Sequence, residues 1–78
     1  MTPKLKLVNA DKVIKVLEKL GFKVKRQRGS HVILKSSDGR TIVVPVHAGE
    51  MIGRGLLLKI IKQAGVTKDE FLKLLEEL

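Results

Sequence analysis

Several residue types are absent or scarce in this 78-residue chain, and each absence excludes a class of function. There is no cysteine, which excludes a disulfide framework, a thiolate nucleophile and every cysteine-based metal site. With no Trp or Tyr and only two Phe, the aromatic platforms on which single-stranded nucleic acids stack are nearly absent. No apolar run approaches the roughly 20 residues that a membrane helix needs, and no signal-peptide pattern opens the chain. We therefore expect a cytoplasmic protein with no membrane partner.

Positive charge, by contrast, is abundant and unevenly placed. Sixteen Lys and Arg against eight Asp and Glu give a net charge of +8. Residues 1–40 hold eleven of the basic residues and three acids, whereas residues 41–78 hold five of each. This asymmetry is typical of a surface that binds nucleic acid through its phosphates. A lysine-rich surface that only solvates the protein is the simpler alternative. The length fits one small domain and excludes a multi-domain enzyme.

Apolar spacing predicts a first helix followed by a strand. Asn9 is a candidate N-cap for the helix, and Gly21 ends it in a left-handed conformation. From Phe22 the apolar period falls from about 3.6 residues to two, the period of a half-buried strand. The apolar positions are Val13, Val16, Leu17 and Leu20 in the helix and Phe22 and Val24 in the strand, where Lys23 and Lys25 alternate with them.

The rest of the chain predicts two more strands and two more helices. Residues 31–35 and 41–46 are strands that flank a hairpin signal at residues 36–40. A loop containing residues 53–55 leads into a second helix, which Gly65 closes. The order α-β-β-β-α, with an extra C-terminal helix, predicts an α+β fold in which helices cover one face of a three-stranded antiparallel sheet. The helix residues expected to face the core are Leu57, Ile60, Ile61 and Ala64, then Phe71, Leu74, Leu75 and Leu78, with Thr67 and Glu70 forming a capping box.

Strand parity and hairpin register place the outward side chains. Val32 and Leu34 point inward, which turns His31 outward with Ile33 and Lys35. The third strand turns Ile42, Val44 and Val46 inward and Thr41 and Val43 outward, and Lys23 and Lys25 point outward from the first strand. A two-residue hairpin turn would pair inward with outward residues, so we expect a three-residue loop. Such a loop puts His31 opposite Pro45 or opposite His47, and either arrangement brings the two histidines near each other.

His31 is the strongest candidate for chemistry. It follows a Gly-Ser break at the start of a strand and has Arg26, Arg28 and Lys35 nearby in sequence. With a phosphodiester substrate, an imidazole acts as general base on the ribose 2′-hydroxyl while cations stabilise the charge that develops. On the residues alone, a surface or hydrogen-bonding histidine is the more common role.

The other candidates carry weaker signals. His47 is a general acid, an RNA contact or a loop residue without chemistry, and the residues favour the last. Ser30 as a nucleophile would need an acid that orients His31, and none is suggested. The two histidines lack a third clear ligand, so neither a metal nor a cofactor is expected. The Gly-x-Gly at residues 53–55, ahead of a helix, is a weak phosphate-binding signal.

Taken in order, these motifs resemble those of the HicA toxin family. They are Leu20-Gly21-Phe22, Gly29-Ser30-His31, Asp38-Gly39-Arg40, Val44-Pro45-Val46-His47 and the helix from Leu57 to Gly65. The resemblance runs from about Asn9 to Thr67. It implies a fold like that of double-stranded-RNA-binding domains (dsRBD-like), and a toxin of a type II toxin–antitoxin system. Such a toxin is a metal-independent endoribonuclease that cleaves mRNA when released from a HicB antitoxin, and the family's catalytic histidine falls on His31.

With this resemblance, the leading hypothesis is a single HicA-like RNA-binding and ribonuclease domain over residues 1–78. His31 transfers the proton during 2′-hydroxyl attack, and Ser30 and His47 are secondary candidates in the active site. A non-catalytic RNA-binding module of the same fold is the alternative, and a structural or protein-interaction domain is a third class. The predicted RNA-binding residues are Lys23, Lys25, Arg26, Arg28 and Lys35.

Overall fold

The computed structural model describes residues 8–46 and 51–78, and its elements follow the predicted order with one addition. The elements are β1 (Val8–Asn9), α1 (Ala10–Lys19), β2 (Lys23–Arg28), β3 (His31–Lys35), β4 (Thr41–Pro45), β5 (Met51–Ile52), α2 (Arg54–Ala64) and α3 (Lys68–Glu76). Strands β2, β3 and β4 form the predicted antiparallel sheet with β3 at its centre. The addition is the short antiparallel pair of β1 with β5. The predicted α+β fold is confirmed.

The helices lie on one face of the three-stranded sheet. Helix α1 contacts β2 and β4, α2 contacts β4, and α3 packs on α1 and α2. Four of the strand residues that parity turns inward are buried with the helix residues in one hydrophobic cluster, and another, Val46, is partly buried against it. The buried strand residues are Val32, Leu34, Ile42 and Val44. The opposite face of the sheet is therefore left open.

Local signals set the helix ends much as predicted. The Asn9 side chain accepts a hydrogen bond from the Asp11 backbone N–H at 2.8 Å, which caps α1. Thr67 and Glu70 form the predicted capping box of α3. Helix α2 begins at Arg54, inside the segment predicted as a loop, because the backbone of Gly53 already serves as its N-cap.

The hairpin between β3 and β4 has the predicted three-residue loop. The Ser36 N–H donates to the Arg40 carbonyl oxygen at 2.9 Å, so the loop is residues 37–39. Gly39 has φ +90°, a left-handed conformation that suits this position of the loop. The resulting register places His31 opposite Pro45, one of the two predicted alternatives. His47 lies outside the described residues, so its predicted proximity to His31 stays a prediction.

Strand β2 departs from the predicted alternation because it contains a β-bulge. Its pairs with β3 are Lys23 with Lys35, Val24 with Leu34, Arg26 with Ile33, Gln27 with Val32 and Arg28 with His31. Lys25 is the extra residue without a partner. In an unbroken strand Arg26 and Arg28 would share the face of Val24, but the bulge moves both to the face of His31.

Two residues predicted to face the core are exposed. Val24 is 45% exposed because β2 is an edge strand, whose inward side chains the helices cover less completely. Leu78 is 46% exposed because it lies beyond the end of α3. In α2, all four residues predicted to face the core are buried, namely Leu57, Ile60, Ile61 and Ala64.

Within the described ranges, no helix has both the length and the apolar character needed to cross a membrane.

Candidate functional site

The open face of the sheet presents its side chains in three rows across the strands. The rows are Arg28, His31 and Pro45; then Arg26, Ile33 and Val43; then Lys23, Lys35 and Thr41. All five predicted RNA-binding cations are exposed, and β2, β3 and β4 contain no acidic residue. The face is therefore strongly positive, with an apolar patch in its middle row.

His31 lies at the first position of the central strand, exposed on this face. The two-residue Gly29-Ser30 turn joins it to Arg28, which stands directly opposite in the neighbouring strand. Residues opposite each other in an antiparallel pair have Cβ atoms about 4.5–5.5 Å apart. A phosphate held at the imidazole would thus lie within reach of the Arg28 guanidinium, and Arg26 stands in the next row on the same strand.

Pro45 lies opposite His31 on β4. The hydrogen-bond pattern between β3 and β4 explains why a proline is tolerated there. The Val46 N–H donates to the Ser30 carbonyl oxygen and the Ser36 N–H donates to the Arg40 carbonyl oxygen, so the even-numbered residues of β3 form the hydrogen-bonded pairs with β4. His31 and Pro45 form the alternate kind of pair, in which side chains lie closer. The amide that proline lacks would face the outer side of β4, where none of the described strands pairs with it.

Ser30 lies directly before His31, in the turn between β2 and β3. It is half-buried in the turn, and its carbonyl oxygen accepts the bond from Val46. A serine nucleophile needs a histidine base that is itself oriented by an acid. The three strands around His31 contain no acid, so the arrangement favours His31 acting directly on a substrate over a Ser-His pair.

A second feature lies at the opposite end of the face. Three lysines, Lys23, Lys25 and Lys35, line an open depression of about 180 Å³ together with Gly21, Ser36 and Ser37. We call it the lysine pocket. The five predicted RNA-binding cations thus fall into two groups, with arginines near His31 and lysines in the pocket. Sequence reasoning missed Gly21, Ser36 and Ser37 as lining residues, because only the folded hairpin brings them beside β2.

A polar network fixes the hairpin at the edge of the lysine pocket. The Ser36 hydroxyl donates to the Asp38 carboxylate, and the Arg40 guanidinium Nε donates to the other carboxylate oxygen at 2.9 Å. The Ser36 hydrogen bond and then Arg40 lower the pKa of Asp38 from 3.8 to about 2. Arg40 also donates through Nη1 to the Ala64 carbonyl oxygen at 2.9 Å, which ties the hairpin to the end of α2.

Two predicted candidates remain, His47 and the Gly-x-Gly at residues 53–55. His47 falls outside the described residues. Arg54 is the exposed first residue of α2, and Gly53 gives that helix no side-chain cap. In residues 8–46 and 51–78, no three His, Asp or Glu side chains are grouped so that they could hold a metal ion.

The order α-β-β-β-α, with helices on one face of an antiparallel sheet, defines a small α+β protein of the dsRBD-like class. The sequence profile of a family described as HicA toxin of bacterial toxin-antitoxin matches residues 10–66. This match covers most of the chain, and the chain belongs to the HicA toxin family. No curated protein sequence matches the chain. Family membership makes the protein a toxin of a toxin–antitoxin system and implies an antitoxin partner.

Proposed function

We propose that this toxin is a metal-independent endoribonuclease that cleaves mRNA, with His31 as the catalytic residue. The observation that carries the proposal is the position of His31, exposed beside Arg28 on a basic, acid-free sheet face in a chain of the HicA family. A polyanion is attracted to such a face, and an exposed imidazole there is accessible to a long RNA chain without a deep pocket.

The proposed reaction uses the RNA's own 2′-hydroxyl as nucleophile. An imidazole nitrogen of His31 accepts the proton of that hydroxyl, and the 2′ oxygen forms a bond to the adjacent phosphorus. The bond from phosphorus to the 5′ oxygen breaks, and the 5′ oxygen leaves with the electron pair and takes up a proton from solvent. One product strand ends in a 2′,3′-cyclic phosphate and the other begins with a 5′-hydroxyl.

The arginines next to His31 are proposed to stabilise the phosphate as its charge builds up. Arg28 stands directly opposite His31, and Arg26 occupies the adjacent row because the bulge turns it to this face. Guanidinium groups present paired N–H donors that match two phosphate oxygens. The two arginines therefore bind the cleaved phosphate, whereas the imidazole moves the proton.

The test is cleavage of a single-stranded RNA in excess chelator by wild type and His31→Ala. We expect wild type to produce fragments that end in 2′,3′-cyclic phosphate, and His31→Ala to cleave about 10²–10⁴-fold more slowly. Thr41→Ala, which alters an exposed side chain in the row farthest from His31, is the control and should cleave like wild type. Affinity for a 2′-O-methyl RNA, which lacks the attacking hydroxyl, should be the same in His31→Ala and wild type.

Other outcomes point to the competing functions. Equal RNA decay with wild type and His31→Ala would remove His31 from the mechanism. Intact RNA together with salt-sensitive binding would support a non-catalytic RNA-binding module instead. Retention on RNA that responds to salt no more than that of a neutral protein would support a protein-interaction domain.

The antitoxin is proposed to be of the HicB type, and the toxin to act on mRNA in the cytoplasm. A neighbouring reading frame that encodes a small acidic protein would support this partner. Co-expression of the two proteins should yield a complex that does not cleave RNA, and a reading frame whose product neither binds nor inhibits the toxin would contradict the assignment.

A further inference from the structure

We infer that the lysine pocket is a second phosphate subsite, which binds an RNA backbone phosphate remote from the bond that is cleaved. The inference rests on the proposed function for the position of the cleaved phosphate at His31. The binding of RNA that cannot be cleaved is measured apart from catalysis, so the two ideas are tested separately.

The charges of the pocket favour a bound anion. Lys23 stands directly opposite Lys35, and like charges in this position destabilise a strand pair. Lys25, the extra residue of the bulge, lines the same depression, so three lysines border it. None of the residues that line the pocket is acidic, and the one acid in the adjoining hairpin, Asp38, is already bonded to Ser36 and Arg40. A phosphate would relieve the repulsion among the lysines.

The size and shape of the pocket indicate a small group on a larger molecule. Its volume of about 180 Å³ is below the roughly 300–1,000 Å³ of pockets that enclose drug-sized ligands. Flexible lysine ammonium groups suit phosphate as point charges, without the planar pairing that arginine offers. An open, lysine-lined depression of this size therefore fits one phosphate of a chain that continues across the surface.

The distance from His31 determines which phosphate this is. Lys35 lies four residues beyond His31 on the same strand, or about 13 Å at roughly 3.3 Å per residue. This is about twice the separation of adjacent phosphates along an RNA strand, which places the bound phosphate about two nucleotides from the cleaved one. Ile33 and the 43% exposed Val43 lie between the two positions and offer an apolar surface to the intervening ribose and base. The RNA thus runs along β3.

The experiment measures the binding of fluorescein-labelled 2′-O-methyl oligonucleotides, from dinucleotide to octanucleotide, by fluorescence anisotropy over a range of salt concentrations. These probes cannot be cleaved by 2′-hydroxyl attack, so the result does not depend on catalysis. The pocket variant is Lys23→Gln with Lys25→Gln and Lys35→Gln. The matched control substitutes three exposed lysines of α1, which covers the other face of the sheet, and loses the same charge. It combines Lys12→Gln, Lys15→Gln and Lys19→Gln.

For wild type and the control, we expect affinity to rise in a step once the oligonucleotide is long enough to reach from His31 to the pocket. The pocket variant should lack this step. Its slope of log K against log salt for the octanucleotide should become shallower by roughly 0.7 for each phosphate that the protein no longer neutralises. Equal losses in the two triple variants would overturn the inference, because they would indicate diffuse attraction by net charge. An unchanged pocket variant would overturn it as well.

A residue-level measurement separates the failure of this inference from that of the proposed function. In amide NMR spectra, a dinucleotide should shift His31 and Arg28, whereas the octanucleotide should also shift Lys35 and Ser37. Loss of the Ser37 shift in the pocket variant, which no longer has Lys35, supports the subsite even if His31→Ala still cleaves RNA. Shifts at Lys35 and Ser37 that are as large with the dinucleotide would contradict the two-nucleotide spacing.

Discussion

Asp38 acts at the scale of a single residue, because its carboxylate holds the hairpin between β3 and β4 in one conformation. It accepts hydrogen bonds from the Ser36 hydroxyl and from the Arg40 guanidinium, and Arg40 in turn reaches α2. The Ser36 bond, followed by Arg40, lowers the pKa of Asp38 to about 2. The ionised form is thus the one that the folded hairpin favours.

The sign of the resulting pH dependence follows from linkage. The folded pKa of about 2 is below the ordinary 3.8, so the contribution of Asp38 to stability is complete well above 3.8 and is lost as the pH falls toward 2. We expect Asp38→Asn to be less stable than wild type at neutral pH, with the difference shrinking as the pH falls through this window. Denaturant unfolding of both proteins at a series of pH values measures it. A difference that stays constant down to pH 2 would contradict the assignment.

At the scale of elements, the end of α2 depends on one glycine. Gly65 has φ +76°, a conformation that L side chains rarely adopt, and a Cβ added there would collide with the Arg40 guanidinium. Arg40 occupies that space because it donates to the last carbonyl group of the helix. The left-handed backbone and the bond from Arg40 together terminate α2.

We therefore expect Gly65→Ala to lower the free energy of unfolding by about 1–2 kcal/mol from the backbone conformation alone, with any clash adding to it. Gly55→Ala is the matched control, since Gly55 lies within α2, has an ordinary φ and has open space where its Cβ would be. It should be neutral or stabilising by about 0.4–1 kcal/mol. Urea denaturation compares the two variants, and equal effects would show that the helix end is not constrained as described.

The elements also show which structural features could be predicted from the sequence and which could not. Helix ends and hairpin length were predictable because they depend on local signals such as the Asn9 cap and on strand parity. The bulge at Lys25 was not, because an extra residue is defined only by pairing with β3. The same limit applies to the site: the exposure of His31 followed from parity, whereas alternation from Val24 would turn Arg26 and Arg28 inward, and the bulge explains why they share the face of His31. The pairing of β1 with β5 joins distant segments and left no local signal.

At the scale of the whole molecule, the core extends beyond the part of the chain that the family profile matches. That match ends at residue 66, yet Phe71 of α3 is fully buried in the same cluster as the sheet and the other helices. In a domain of this size, one large buried aromatic side chain is a substantial share of the core. Helix α3 is accordingly part of the folded unit.

Phe71→Ala should lower the free energy of unfolding by about 3–5 kcal/mol, because it removes buried apolar surface and leaves a cavity. Leu78→Ala, at a 46% exposed position just past the same helix, should change it by less than about 0.5 kcal/mol. Thermal and denaturant unfolding measure both. If the two substitutions had similar small effects, α3 would be an appendage to a core completed by residue 66.

The burial of Phe71 also has a consequence for synthesis on the ribosome. The chain emerges from its N-terminus, so α1 and the two hairpins of the sheet are available first, and their short connections allow them to pair early. The contact between α3 and α1 joins the third helix of the domain to its first. The nascent protein consequently cannot close its core until α3 has been synthesised and has left the ribosome.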